Sequence, residues 1–134
     1  MTRAPPSYNS TEISTFLQGT PMTAFLDRAS LDEMVTLLGD DFLDIVRLFI
    51  EQLGSDVAQL QAARAAGDWD RLYRAAHTLK GSSGNVGASA LSLSAARLER
   101  AARMSDAAAA DGELAALPAL AEQTVAALRA GRYA

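Results

Sequence analysis

A chain of 134 residues with no cysteine and a single histidine holds one domain with one real core, and it excludes disulfides, thiol chemistry, cysteine-rich zinc sites and any multi-histidine metal centre. Its formal net charge of −4 argues against nucleic-acid partners. No apolar run approaches the roughly 20 residues that cross a bilayer, and the N-terminus lacks a charged-then-apolar leader, so a cytoplasmic protein with no membrane partner is expected.

Alanine and leucine are abundant and β-branched runs are scarce, which favours helix almost everywhere. Residues 1–26 read as a polar lead-in, with a short helix as one option. Pro5, Pro6, Gly19 and Pro21 interrupt any period there, and Phe16 and Phe25 are the residues able to dock on a domain. The domain itself is expected over 27–131. Ser30 is expected to cap a short helix through Leu38, with Asp32 and Glu33 in its first turn and Gly39 ending it. A long helix then starts near Asp40 or Asp41. Its apolar residues Phe42, Ile45, Phe49, Leu53, Val57 and Leu60 recur at steps of three and four, and Gly67 closes it.

Asp68 is a good N-cap for the next helix, whose stripe is Trp69, Leu72, Ala76, Leu79, Ser83 and Val86, with Gly87 at its end. A further helix spans about Ala88 to Met104, with Leu91, Ala95, Leu98 and Ala102 inward. Ser105 to Gly112 reads as a loop or frayed end. The last helix begins near Asp111, with Leu114, Leu117, Ala121, Val125 and Leu128 inward and Pro118 as a possible kink or start. The fold class expected is all-α: an antiparallel up-down four-helix bundle with a short extra N-terminal helix.

The histidine sits in "HTLKGSSGNVG", residues 77–87. If the Trp69–Val86 stripe points inward, His77 points about 130° away from it, at about 100° of turn per residue. Arg74, Gly81 and Gly84 share its face, Asp70 lies two turns earlier, and Lys80 sits on the shoulder. Interior glycine costs roughly 1 kcal/mol against alanine, so two glycines beside the only imidazole trade stability for open space. Each feature alone is ordinary. Together, an exposed imidazole, neighbouring cations and missing side chains suit an anionic group that another protein must approach closely. Phosphate fits, because a neutral imidazole nitrogen is a competent nucleophile and cations can offset a phosphoryl charge.

At these residues the sequence resembles the histidine-containing phosphotransfer (HPt) domain family. The family pattern is His-x-Leu-Lys-Gly-Ser/Ala-Ser/Ala, two variable residues, an apolar residue and Gly-Ala. His77, Leu79, Lys80, Gly81, Ser82, Ser83, Val86, Gly87 and Ala88 match it. The resemblance extends to "LGDDFLDIVRLFIEQL" before the histidine helix and to "LSAARLERAAR" after it, with Leu98-Glu99 at the expected place. It implies a helical bundle that accepts phosphoryl from the aspartate of one receiver domain and passes it to another. By this resemblance His77 would be the phosphorylated residue, Lys80 its charge partner and Gly81 the gap that admits the receiver, while Gly84 stands where family members vary. From their place around His77, Arg74 is expected as a second cation and Gly84 and Thr78 as further residues under the docked receiver.

The partners implied are receiver domains of a hybrid histidine kinase and of a response regulator. No cofactor is expected on this chain; Mg²⁺ would belong to the receiver. Neither G-x-x-x-x-G-K-[ST] nor G-x-G-x-x-G occurs, so a phosphocarrier without its own ATP site is expected rather than an enzyme. The alternative is a non-catalytic helical adaptor that binds a receiver. A hydrolase using His77 with Asp70 or Ser82 lacks a visible cleft or oxyanion donors. A kinase-side dimerisation domain typically carries an acidic residue after the histidine, where Thr78 stands here, so a monomer is expected.

Overall fold

Three aspartates start three of the helices. Asp27, Asp68 and Asp106 each accept a hydrogen bond from the backbone N–H three residues on, at Ser30, Arg71 and Ala109, over 3.0–3.1 Å. Two of them also finish the preceding helix. The Asp68 N–H donates to the Ala63 carbonyl at 3.0 Å and the Asp106 N–H to that of Ala101 at 2.8 Å, each after a residue of positive φ, Gly67 or Ser105. One residue thus satisfies orphan groups at two helix ends, which makes the turns short.

The computed structural model describes residues 25–134. They form α1 (Arg28–Leu38), α2 (Asp40–Ala65), α3 (Trp69–Asn85), α4 (Ser89–Arg103) and α5 (Ala107–Ala130). Helix α3 packs on α2 and α4, α4 packs on α5, and α5 returns to α2, while α1 lies against α2. Neighbours in sequence are neighbours in space and the ring closes, as an up-down four-helix bundle requires. The chain is all-α, with no strand among the described residues. The core is built from Phe42, Val46, Leu60, Leu72, Ala76, Leu79, Leu91, Ala95, Leu98, Leu117 and Leu128, all buried. Helices α3 and α4 approach closely at Gly84, where an added Cβ would reach Ser92 Oγ at 3.6 Å, and at Lys80, whose carbonyl accepts from the Ser92 hydroxyl at 3.0 Å.

Several expectations are corrected. Ser30 is not the cap of α1; its N–H donates to Asp27, which starts the helix at Arg28. Of the expected loop 105–112 only Ser105 and Asp106 lie outside a helix, and the last helix does not wait for Asp111. Asp106 caps α5 at Ala107, and four alanines, the best helix formers, follow it. Ile45 is 45% exposed and Val46 takes the inward position, because the stripe drifts when read one residue early at the helix start. Ala121 and Val125 are only half-buried; Thr124 and Ala127 fill the core beside them. Helix α5 runs through Pro118 without starting there. Trp69 is half-buried at the end of its stripe, where Arg64 stacks on its ring at 5.0 Å.

Both ends of the domain are tied down. Leu26 is buried, Phe25 packs against the core, and the Asp27 N–H donates to the Gly87 carbonyl at 2.8 Å. Phe16 lies outside the described residues. Gly87 has φ 70°, and a Cβ there would meet Leu31 Cγ at 2.7 Å. Glycine is therefore required twice over, for the left-handed turn and for the passage of α1. At the other terminus Tyr133 is buried and its hydroxyl donates to Asp32 of α1.

Candidate functional site

Helices α3 and α4 run antiparallel through the short link of Val86, Gly87 and Ala88. Gly84 therefore faces Ser92, and one further stretch up the pair, His77 faces Glu99. The His77 side chain is 62% exposed, as the helical geometry of the sequence requires. Its Nδ1 lies 2.6 Å from Glu99 Oε2, and Lys80 Nζ donates to Glu99 Oε1 at 2.7 Å. One carboxylate, itself only 7% exposed, bridges the imidazole and the ammonium.

The Lys80 hydrogen bond holds the Glu99 carboxyl below its ordinary range; burial works against this, and the His77 bond adds to the lowering. The carboxylate is therefore ionised at neutral pH and can only accept. Nδ1 therefore carries a proton, and in the neutral imidazole the lone pair is then on Nε2, directed away from Glu99. Glu99 thus selects the tautomer and anchors Lys80 within reach of the ring.

Sequence reasoning placed Leu98-Glu99 in the resemblance and gave Glu99 no task. The available signal was a charged residue directly beside the inward residues Ala95, Leu98 and Ala102. Glutamate is almost never buried unless it is paired.

The other candidate residues fall into place around this pair. At Gly81 an added Cβ would meet nothing within 4 Å, so the surface one turn beyond His77 is open. At Gly84 it would reach Ser92 Oγ at 3.6 Å, an ordinary contact. Thr78 is exposed, and its hydroxyl donates to the Arg74 carbonyl at 3.1 Å. Arg74 is not gathered to the imidazole; its guanidinium pairs with Asp70 at 2.9 Å, both side chains largely in water. Ser82 Oγ bonds the Leu79 carbonyl at 3.3 Å, so neither it nor Asp70 is aimed at His77. The groove of about 420 Å³ between α2 and α5, lined by Leu53, Val57, Pro118 and Val125 among others, contains none of these residues. No group of three or more His, Asp or Glu residues able to hold a metal ion occurs among the described residues. No described helix is long and apolar enough to cross a membrane.

An up-down bundle that presents one exposed imidazole, locked by a buried carboxylate beside a lysine, defines a helical carrier rather than an enclosed active site. The chain matches the Hpt domain family over residues 44–131, most of its length, and belongs to it. Its general role is histidine phosphotransfer in phosphorelays, as a phosphocarrier that works with receiver domains. Comparison with curated proteins and with solved structures found no match.

Proposed function

We propose that His77 is the phosphoryl acceptor, taking the group from the aspartate of a hybrid kinase's receiver domain and passing it to that of a response regulator. The observation that carries this reading is the Nδ1–Glu99 hydrogen bond on an exposed ring, which in the neutral imidazole puts the proton on Nδ1 and the lone pair on Nε2. Nε2 donates its lone pair to phosphorus as the P–O bond to the receiver aspartate breaks, and the aspartate leaves as carboxylate. The ring keeps its Nδ1 proton and becomes cationic; Glu99, 2.6 Å away, faces that developing charge. Lys80 already sits one turn from the ring and can exchange Glu99 Oε1 for a phosphoryl oxygen. Arg74 is a second cation, available only by giving up its exposed pair with Asp70.

Gly81, with Thr78 and Gly84 on the same helix, provides the surface over which the receiver's active-site loops pass. Mg²⁺ and most of the electrostatic stabilisation come from the receiver, which leaves this chain no need of a cofactor or ATP site. It works as a cytoplasmic monomer. In the test, a receiver phosphorylated with a radiolabelled small phosphodonor and Mg²⁺ is mixed with this protein. Label appears on the wild type in base-stable, acid-labile form and is absent from His77→Gln. A His77→Gln protein that labels equally well refutes the assignment. A tight complex without transferred label is the outcome that favours a non-catalytic adaptor.

A further inference from the structure

His77 is held on more than one side. One turn before it on α3, the Tyr73 ring lies nearly parallel to the imidazole, with centroids 6.3 Å apart and 17° between planes. One turn beyond Glu99 on α4, Arg103 sets its guanidinium over the Tyr73 ring, Cζ 5.5 Å from the centroid. Because the helices are antiparallel, residue 73 faces 103 as 77 faces 99. The site therefore has two rungs across one helix pair, an ionic one and an aromatic one.

The two rungs differ in firmness. Tyr73 is half-buried and packs against the core, so its ring is a fixed wall. His77 is mostly in water and makes one hydrogen bond. The χ2 torsion of histidine has a broad, two-fold profile, so a single bond leaves the ring room to turn. A half-turn takes Nδ1 away from Glu99 and re-aims Nε2. A parallel aromatic face on one side of the imidazole opposes the tilted orientations through which that half-turn must pass.

We infer that Tyr73, braced across the interface by Arg103, is a positioning residue that keeps the His77 ring in the orientation that places Nδ1–H on Glu99 and Nε2 toward the partner. The consequence for transfer rests on His77 being the acceptor; the consequence for the ring does not. The ring of Tyr73 carries the effect and its hydroxyl does not.

The chain has one histidine, so imidazole ¹⁵N signals of the full-length protein belong to His77 without further assignment. In the wild type the Nδ1-protonated tautomer dominates. Tyr73→Ala lowers that population about twofold or more and slows transfer from a phosphorylated receiver about tenfold, through loss of orientation. Tyr73→Leu, which keeps apolar bulk without an aromatic face, behaves like the alanine variant and guards against a merely loosened bundle. Tyr73→Phe restores both readouts, and Arg103→Ala falls between.

Wild-type tautomer signals in Tyr73→Ala and Tyr73→Leu overturn the inference. So does a Tyr73→Phe protein as impaired as the alanine one, since that would transfer the role to the hydroxyl. If His77→Gln still accepts label, the acceptor assignment fails by itself, and the tautomer comparison continues to report on Tyr73.

Discussion

Replacing Glu99 with alanine removes both bonds that organise the site. His77 loses the acceptor at 2.6 Å that keeps its proton on Nδ1, and Lys80 loses the one at 2.7 Å that holds it near the ring. A hydrogen bond to a charged group is worth about 1.5–3 kcal/mol. If the histidine bond strengthens by that much as the ring becomes cationic, its loss slows transfer about 10- to 100-fold, at about 1.4 kcal/mol per decade. The stability change is smaller, because the variant is also relieved of burying a carboxylate and because Lys80 is 37% exposed. A loss of about 1 kcal/mol is expected at pH 7.

The pH dependence carries the sign. The Glu99 carboxyl titrates below its ordinary value of 4.5 in the folded protein, chiefly through Lys80. Its contribution is therefore complete above the unfolded value and fades as pH falls through the folded one. The gap in stability between wild type and Glu99→Ala should close on acidification below about pH 4.5. Urea unfolding at several pH values and transfer kinetics from a phosphorylated receiver measure the two effects. A folded Glu99→Ala protein that transfers within twofold of wild type would refute the reasoning. So would a stability gap that widens in acid.

Other perturbations separate shape from chemistry. Gly81→Glu should block transfer while leaving the helical circular dichroism signal nearly intact, because a Cβ there meets nothing and glycine costs the helix about 1 kcal/mol. Unimpaired transfer in that variant would contradict a receiver docked over Gly81. Ser105 closes α4 with φ 51°, where glycine is favoured, so Ser105→Gly should raise unfolding stability by about 0.5–1 kcal/mol with no change in transfer. Thermal unfolding decides it, and a lower melting temperature would count against this reading of the turn.

The inward stripes of α3 and α4 were legible because they are long, regular and bounded by aspartate and glycine. The exposure of His77 followed from the α3 stripe by geometry alone. Errors fell where local signals compete. Ser30 and Asp27 are both good caps, and the earlier one is used where Leu26 and Leu31 are buried on the bundle and the Asp27 N–H is tied to Gly87. Alanines 107–110 carry no stripe to read, yet their intrinsic preference and Asp106 suffice. At the site, the parts carried by α3 were visible because spacing along one helix determines direction. Glu99 and Arg103 were not visible as partners of His77 and Tyr73, because their pairing depends on the register between two helices. That register is set by the buried Val86–Gly87–Ala88 link and by small residues at the contact.

That link has a further consequence. Everything that touches the imidazole is mounted on a single hairpin whose bend is sealed under Leu31 and tied to Asp27. Such a mount has no hinge, so in the proposed relay a visiting domain meets the same backbone whether the ring is bare or loaded, and what differs is the phosphoryl group on Nε2, the charge of the ring and the partner of Lys80. In the proposed relay the direction of flow is then decided by how firmly each visitor's aspartate retains the phosphoryl group, and the carrier contributes a fixed stage on which that contest takes place.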